Sequence, residues 1–145
     1  MSEILCQGMS RESVVTDLCL KAADLRLPDI RENDLVVIAM PVFAGRVPAL
    51  AVERLRMVSP HGAKCVVVAV FGNRAYDDAL LEMQDVAQEI GFRVIAAVGA
   101  VAEHSIIRKY GTARPDAEDE KTLRKFSADI MSKAETDDCT LPETP

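Results

Sequence analysis

Three short segments of this chain hold the residues whose types and spacing could do chemistry. The first is Pro41-Val42-Phe43-Ala44-Gly45-Arg46-Val47-Pro48, an aromatic, a glycine and an arginine held between prolines. Prolines limit the freedom of such a loop, and Gly45 permits close approach of backbone to a ligand. Phe43 could pack on a planar ring or plug the end of a sheet. The second is Phe71-Gly72-Asn73-Arg74-Ala75-Tyr76-Asp77-Asp78. Gly72 and Asn73 suit a tight turn with local backbone hydrogen bonds. Tyr76 could stack on a ligand or staple a helix start. Asp77 or Asp78 reads as a charge at a helix N-terminus, with about 0.3–1 kcal/mol to gain there. The third runs from Gly99 to about Ser105 and holds Glu103 and His104. A loop histidine there could hydrogen-bond a ligand.

Other chemistries find no residue pattern. His104 adjoins Ser105, but sequence neighbours seldom turn their side chains toward one another, and no G-x-S-x-G elbow is present. The cysteines Cys6, Cys19, Cys65 and Cys139 form no C-x-x-C or other metal spacing. Cys65 opens an apolar run and Cys19 closes one, so both read as small core residues. No G-x-G-x-x-G marks a nicotinamide site. A phosphoacceptor domain needs an Asp at the end of one strand and a Ser or Thr at the end of the next. The chain has Pro41-Val42 and Phe71-Gly72 there.

The three segments follow three apolar runs, and those runs must position them. Leu35–Met40, Cys65–Phe71 and Val94–Val98 are uninterrupted and rich in β-branched residues. Such runs mean strands buried on both faces, as in a parallel sheet. Residues 14–20 read as a further short strand. Between the strands, Ala51, Leu55 and Val58 recur at helical spacing after Pro48, which suits a first helical position. Leu80, Met83, Ala87 and Ile90 do the same, with Gly91 as a stop. A last helix is expected from about Asp116 to Lys133, with Leu123, Phe126 and Ile130 as its apolar line. The order predicts an α/β fold, an open doubly wound parallel sheet in three α/β/α layers with right-handed crossovers. In such sheets ligands bind beyond the carboxyl ends of the strands, where the three segments lie.

The bulk numbers fit one domain. The chain has 145 residues, 49% hydrophobic and 28% charged, with a net charge of -6. Residues 115–145 hold 4 Lys/Arg against 9 Asp/Glu, so most of the acidity belongs to the tail. There is no basic footprint for nucleic acid. No apolar run has the length of a membrane span, and no signal peptide is legible, so the expectation is a cytoplasmic protein. Residues 1–134 are expected to form the domain and 135–145 a disordered tail or linker.

The loop 41–48 resembles the "PVYAGRVP" loop of the flavodoxin-like domain in bacterial ferredoxin–flavodoxin fusion proteins. Residues 71–80 are similar to that family's "YGNRAYDDAL" stretch. Ala102-Glu103-His104-Ser105 and Ala113-Arg114-Pro115-Asp116 resemble two further family segments, and the likeness runs from about Val14 to Met131. It implies FMN as cofactor, with loops 41–48 and 72–78 beside the isoalloxazine ring. The residues implied are Pro41, Val42, Phe43, Ala44, Gly45, Arg46, Phe71, Gly72, Asn73, Arg74, Tyr76, Asp77 and His104. Phe43 and Tyr76 are the stacking candidates, and the backbone of Gly72 and Asn73 would meet ring polar atoms. Arg46, Arg74 and Arg114 are either phosphate or partner contacts or plain surface arginines.

Two departures from the family stand out. Its first strand and the Ser/Thr/Gly-rich phosphate loop have no counterpart here, and residues 3–8 resemble the tail of the helix that follows that loop. The cysteine-rich ferredoxin segment is not seen after this domain either. The expected function is a redox carrier with weakened FMN affinity, with a ferredoxin-like protein as a redox partner. The competing expectation is a non-catalytic scaffold that homodimerises through an exposed sheet edge.

Overall fold

Strand β2 (Lys64–Phe71) lies at the centre because Cys65, Val66, Val67, Val68 and Ala69 offer no polar side chain to solvent. All five are fully buried. In the computed structural model, which describes residues 1–10, 12–136 and 140, this strand pairs in parallel with β1 (Leu35–Pro41) and β3 (Arg93–Val101). The strand order is β1-β2-β3.

Alternate side chains of each strand feed two separate cores. Ile38, Met40, Cys65, Val67, Ala69 and Val94 face α2 (Ala49–Leu55) and α3 (Ala79–Glu89). Val66, Val68, Ile95 and Val98 face α1 (Ser2–Gly8) and α4 (Ala117–Ala134), through Leu5, Leu123 and Ile130. One irregularity interrupts the alternation. Cys65 stands opposite Val94 but Val66 stands opposite Ala96, so Ile95 is the extra residue of a β-bulge. The result is a three-layer open α/β/α sheet, consistent with a flavodoxin-like fold.

The helices end where their capping chemistry changes. Asp116 opens α4 with a capping box: its carboxylate accepts from the N–H of Glu118 and Asp119, and Asp119 accepts from the N–H of Asp116. Glu118, Asp119 and Glu120 in the first turn suit the helix dipole. Gly91, at φ +102°, turns the chain out of α3 into β3.

Several expectations are corrected. Residues 14–20 form no strand, and Val14 and Val15 are exposed. A strand needs a neighbour's ladder, and no described strand lies beside this run. Asp17 also breaks it, accepting the N–H of Cys19 in a local turn. Cys19 is therefore exposed rather than a core residue, whereas Cys65 is buried as expected. Pro48 is the N-cap of α2, one position before the first helical residue. On α4, Phe126 is exposed and Ser127 takes the inward place. Its hydroxyl is shared between the carbonyls of Leu5 and Leu123, at 2.8 Å from each. A Cβ on Gly8 would lie 2.7 Å from the Ser127 Cβ, so α1 and α4 touch where both are small. Of the expected tail, Glu135 caps α4 and the Thr136 hydroxyl donates to the Lys133 carbonyl, and apart from Thr140 the rest lies outside the described residues. Among the described residues, no helix is long and apolar enough to cross a membrane.

Gln84, on the buried side of α3, leaves its Oε1 without a hydrogen-bond partner among the described residues. An unsatisfied buried polar group costs about 1–3 kcal/mol, while an apolar group of similar shape does not. Gln84→Met is therefore expected to raise the urea midpoint at unchanged m-value, by roughly 1 kcal/mol of stability.

Candidate functional site

The carboxyl ends of the three strands carry one continuous surface built from three loops. The first loop is a two-residue hairpin. Phe43 and Arg46 exchange N–H···O bonds of 2.9 and 3.1 Å, and Ala44 and Gly45 both have positive φ, at 51° and 78°. That pair of angles makes a type I′ turn, in which alanine at the first position is strained. Phe43 stands 59% exposed at the turn, so it does not plug the sheet.

Arg46 is committed elsewhere. Its guanidinium forks onto Glu82 of α3 through bonds of 2.9 and 3.0 Å, and Glu82 also accepts the N–H of Val47 at 3.3 Å. Arg46 holds the Glu82 carboxyl below its usual range, mainly through that hydrogen bond. Glu82 was not singled out in the sequence, because its partner is 36 residues away. Arg114 is likewise bound into the α4 cap by Asp119 and Asp116, which removes it as a free phosphate contact.

The second loop meets both of its neighbours. A Cβ on Gly45 would lie 2.9 Å from the Asp77 Cβ, so the first and second loops touch there. Tyr76 is half-buried and packs edge-on against Phe71, with ring centroids 5.2 Å apart. Its ring also lies over Gly99 of β3, where a Cβ would come within 3.2 Å of Cε1. Tyr76 thus ties the ends of β2 and β3 together, and its carbonyl accepts the N–H of Ala79 at the start of α3. Asp78 is the N-cap of α3, without a side-chain cap bond. Asn73 and Asp77 have φ of 59° and 44°. The N–H groups of Gly72, Asn73, Arg74 and Ala75 donate to no atom among the described residues, and Arg74 has no ion-pair partner there. Pro41 ends β1, and the N–H of Val42 continues its ladder to the Val70 carbonyl at 2.9 Å.

β3 runs on to Val101, past the expected end at Val98, so Gly99 lies in the strand and the third loop spans residues 102–116, up to the expected start of α4. The His104 ring and backbone pack directly on Gly72, where a Cβ would lie 2.9 Å from the His104 Cα. His104 Nδ1 accepts the N–H groups of Ile106 and Ile107, both at 3.1 Å. Those bonds require Nδ1 to be unprotonated, which leaves the ring proton on Nε2. Glu103 holds the loop's return by accepting the N–H of Ala113 at 2.9 Å. Cys65, in the sheet beneath, is not a nucleophile, since burial pushes its thiol up to about 12.

No family model and no curated protein matches the chain. Among solved structures, it is similar to rubredoxin oxygen:oxidoreductase from the anaerobe Desulfovibrio gigas. That similarity has a TM-score of 0.47 at 12% identity and covers 70% of this chain. The chain spans about a quarter of that protein's length, 23%.

The thirteen residues expected at the site lie at the carboxyl ends of β1 and β2, in the loops that follow them and, for His104, in the third loop. Phe43, Ala44, Gly45, Gly72, Asn73 and Arg74 form its outer rim. Phe71 and Tyr76 support it, and His104 flanks it. Two grooves lie away from this surface. One of about 280 Å³ runs between β3 and α4, and one of about 390 Å³ lies at the opposite end of the strands, near Lys64 and Arg93. At the strand ends, Phe43 and the 73–75 segment stand exposed and form a platform.

Proposed function

We propose that this chain is a flavodoxin-like redox domain that takes the ring of FMN on the platform at the ends of β1 and β2, with weakened affinity for the whole cofactor. The observation that carries this reading is the run of N–H groups from Gly72 to Ala75 that donate to no atom among the described residues, with an exposed Phe43 on the neighbouring loop. The residues present fit the ring. Free backbone donors can meet its carbonyl and nitrogen edge, and Phe43 offers an aromatic face. They fit the phosphate poorly. The hairpin 43–46 is closed on itself, Arg46 and Arg114 are held by carboxylates, and only Arg74 is uncommitted among them.

Bound FMN would supply one- and two-electron chemistry, and the protein's part is to bind, orient and shield it. Tyr76 packed on Gly99 and Phe71 fixes the base on which the 72–75 donors stand. Hydrogen bonds to a charged group are worth about 1.5–3 kcal/mol each. Losing three of them lowers affinity by about 4.5–9 kcal/mol, on the order of 10³-fold or more.

The test is a flavin titration of the wild-type chain and of Phe43→Ala. Phe43 is exposed, so its truncation leaves the core intact. The loss of a stacking face worth about 0.5–1.5 kcal/mol should weaken flavin binding roughly 2- to 12-fold. Equal affinity of the two proteins would remove Phe43 and its loop from the site.

A further inference from the structure

The third loop is held shut by a group that can take a proton. His104 Nδ1 offers one lone pair, and it accepts two backbone N–H groups at once, from Ile106 and Ile107, both at 3.1 Å. The backbone completes the arrangement. The N–H of His104 donates to the Tyr110 carbonyl at 3.0 Å, and the N–H of Tyr110 donates to the Ile107 carbonyl at 3.0 Å. These bonds shape the tip Ile106–Tyr110. Apolar burial adds little to it, since Ile106 is 84% exposed and Ile107 and Tyr110 are each close to half exposed. The tip therefore stays folded through hydrogen bonds, and two of them end on one nitrogen.

The closed loop lies against the second loop at two places. An added Cβ on Gly72 would meet the His104 Cδ2 at 2.7 Å, and one on Gly111 would lie 3.4 Å from the Asn73 Cβ. The order of the tip is thus mechanically linked to the segment that carries the free N–H groups.

A proton added to this imidazole turns Nδ1 from an acceptor into a donor, and the N–H groups of Ile106 and Ile107 are left facing a third N–H. The surrounding charges do not offset that loss. On the same loop, Glu103 is engaged by the N–H of Ala113 and by Arg108 at 3.9 Å, Lys109 lies 5.1 Å above the Tyr110 ring, and that ring stands 6.4 Å from the imidazole. Arg114, where the loop returns, is bound by Asp119 and Asp116. The second loop brings the cation Arg74, and its Asp77 is turned to Gly45. Among the described residues, no carboxylate stands within ion-pair distance of His104.

We propose that His104 is a proton-operated latch on the third loop. Neutral, it holds the tip Ile106–Tyr110 closed against the second loop; protonated, it releases the tip. The sign follows from the acceptor role. Closure excludes the proton, so the tip is ordered above the range in which histidine titrates and opens below it. The consequence for flavin rests on the reading above, since Gly72 and Asn73 belong to the proposed ring site.

The test is amide hydrogen exchange of the full chain by NMR, without flavin, at about pH 8 and about pH 5.5, on either side of that range. Each rate is divided by that of an unstructured amide at the same pH. Protection of the Ile106 and Ile107 amides should fall roughly 10- to 30-fold on acidification, the equivalent of two ordinary hydrogen bonds. His61, the other histidine, lies in the turn before β2, at the opposite end of the strands. His104→Asn separates the acceptor from the proton. Its Oδ1 sits one bond beyond Cγ, where Nδ1 stood, and it accepts N–H groups further along the chain but takes no proton. H104N should keep the tip protected at both pH values, and H104A should leave it unprotected at both. Unchanged protection in the wild type, a pH effect that survives in H104N, or wild-type protection in H104A would each overturn the latch. In a parallel titration with riboflavin, which has no phosphate to ionise, wild-type affinity should fall as the tip opens, and H104N affinity should be the same at both pH values. Tip amides that respond to pH in a chain that ignores riboflavin would uphold the latch and defeat only the flavin reading.

Discussion

Truncating Leu5 to alanine should lower the unfolding free energy by about 2.7–5 kcal/mol, although Leu5 lies in a seven-residue helix at the edge of the chain. A helix this short has no stability of its own in water, so α1 exists only through its packing. Leu5 is fully buried in the core shared by α1, α4 and one face of the sheet. The adjacent contact of Gly8 with Ser127 brings the two helices too close for the site to be refilled by a larger neighbour. The cavity therefore stays open, which is the costly case. For a domain of this size, the loss corresponds to roughly 8–15 °C in Tm. Urea unfolding of the variant should show a lower midpoint at the same m-value. A loss under about 1 kcal/mol would mean that α1 is not part of the cooperative unit.

Gly72→Ala should damage the platform more selectively. Its Cβ would meet the His104 Cδ2 at 2.7 Å and the His104 Cα and Cβ at 2.9 Å. Two of these three atoms lie on or next to the backbone, so a rotamer change of the imidazole cannot relieve the clash. The third loop has to move away from the second, at about 1–3 kcal/mol. Because His104 anchors Ile106 and Ile107, the tip loses its order as well. Hydrogen exchange should speed up at the amides of Ile106 and Ile107 while β2 stays protected. The double variant Gly72→Ala with His104→Ala should recover little of the loss, since the Cα and Cβ remain. Full recovery would show that only the ring was in the way.

The three strands were legible because burial on both faces leaves an unbroken apolar run, and nothing else in a chain this short produces one. The loops became legible with them, since the carboxyl ends of parallel strands fix where a site can be. The helix boundaries followed from Asp116 and Gly91, whose chemistry is local. What escaped was non-local. Residues 14–20 have strand composition, but a ladder needs a neighbour, and composition does not reveal one. Phe126 has the hydrophobic spacing with Leu123 and Ile130, but the close approach of Gly8 requires a small residue, and Ser127 takes that place. The pairing of Arg46 with Glu82 turned an apparent ligand contact into a strut between loop and helix. The bulge at Ile95 left no mark in the run that contains it.

The measurement that tests the central claim most directly is a titration of the 145-residue chain with FMN and, in parallel, with riboflavin, followed by flavin fluorescence and absorbance. If the ring loops hold the flavin and no phosphate cradle adds to them, both ligands should quench saturably. Their affinities should agree to within roughly tenfold, a difference of about 1.4 kcal/mol. No saturable change with either ligand up to millimolar concentration would contradict the account, and so would FMN binding several orders of magnitude tighter than riboflavin.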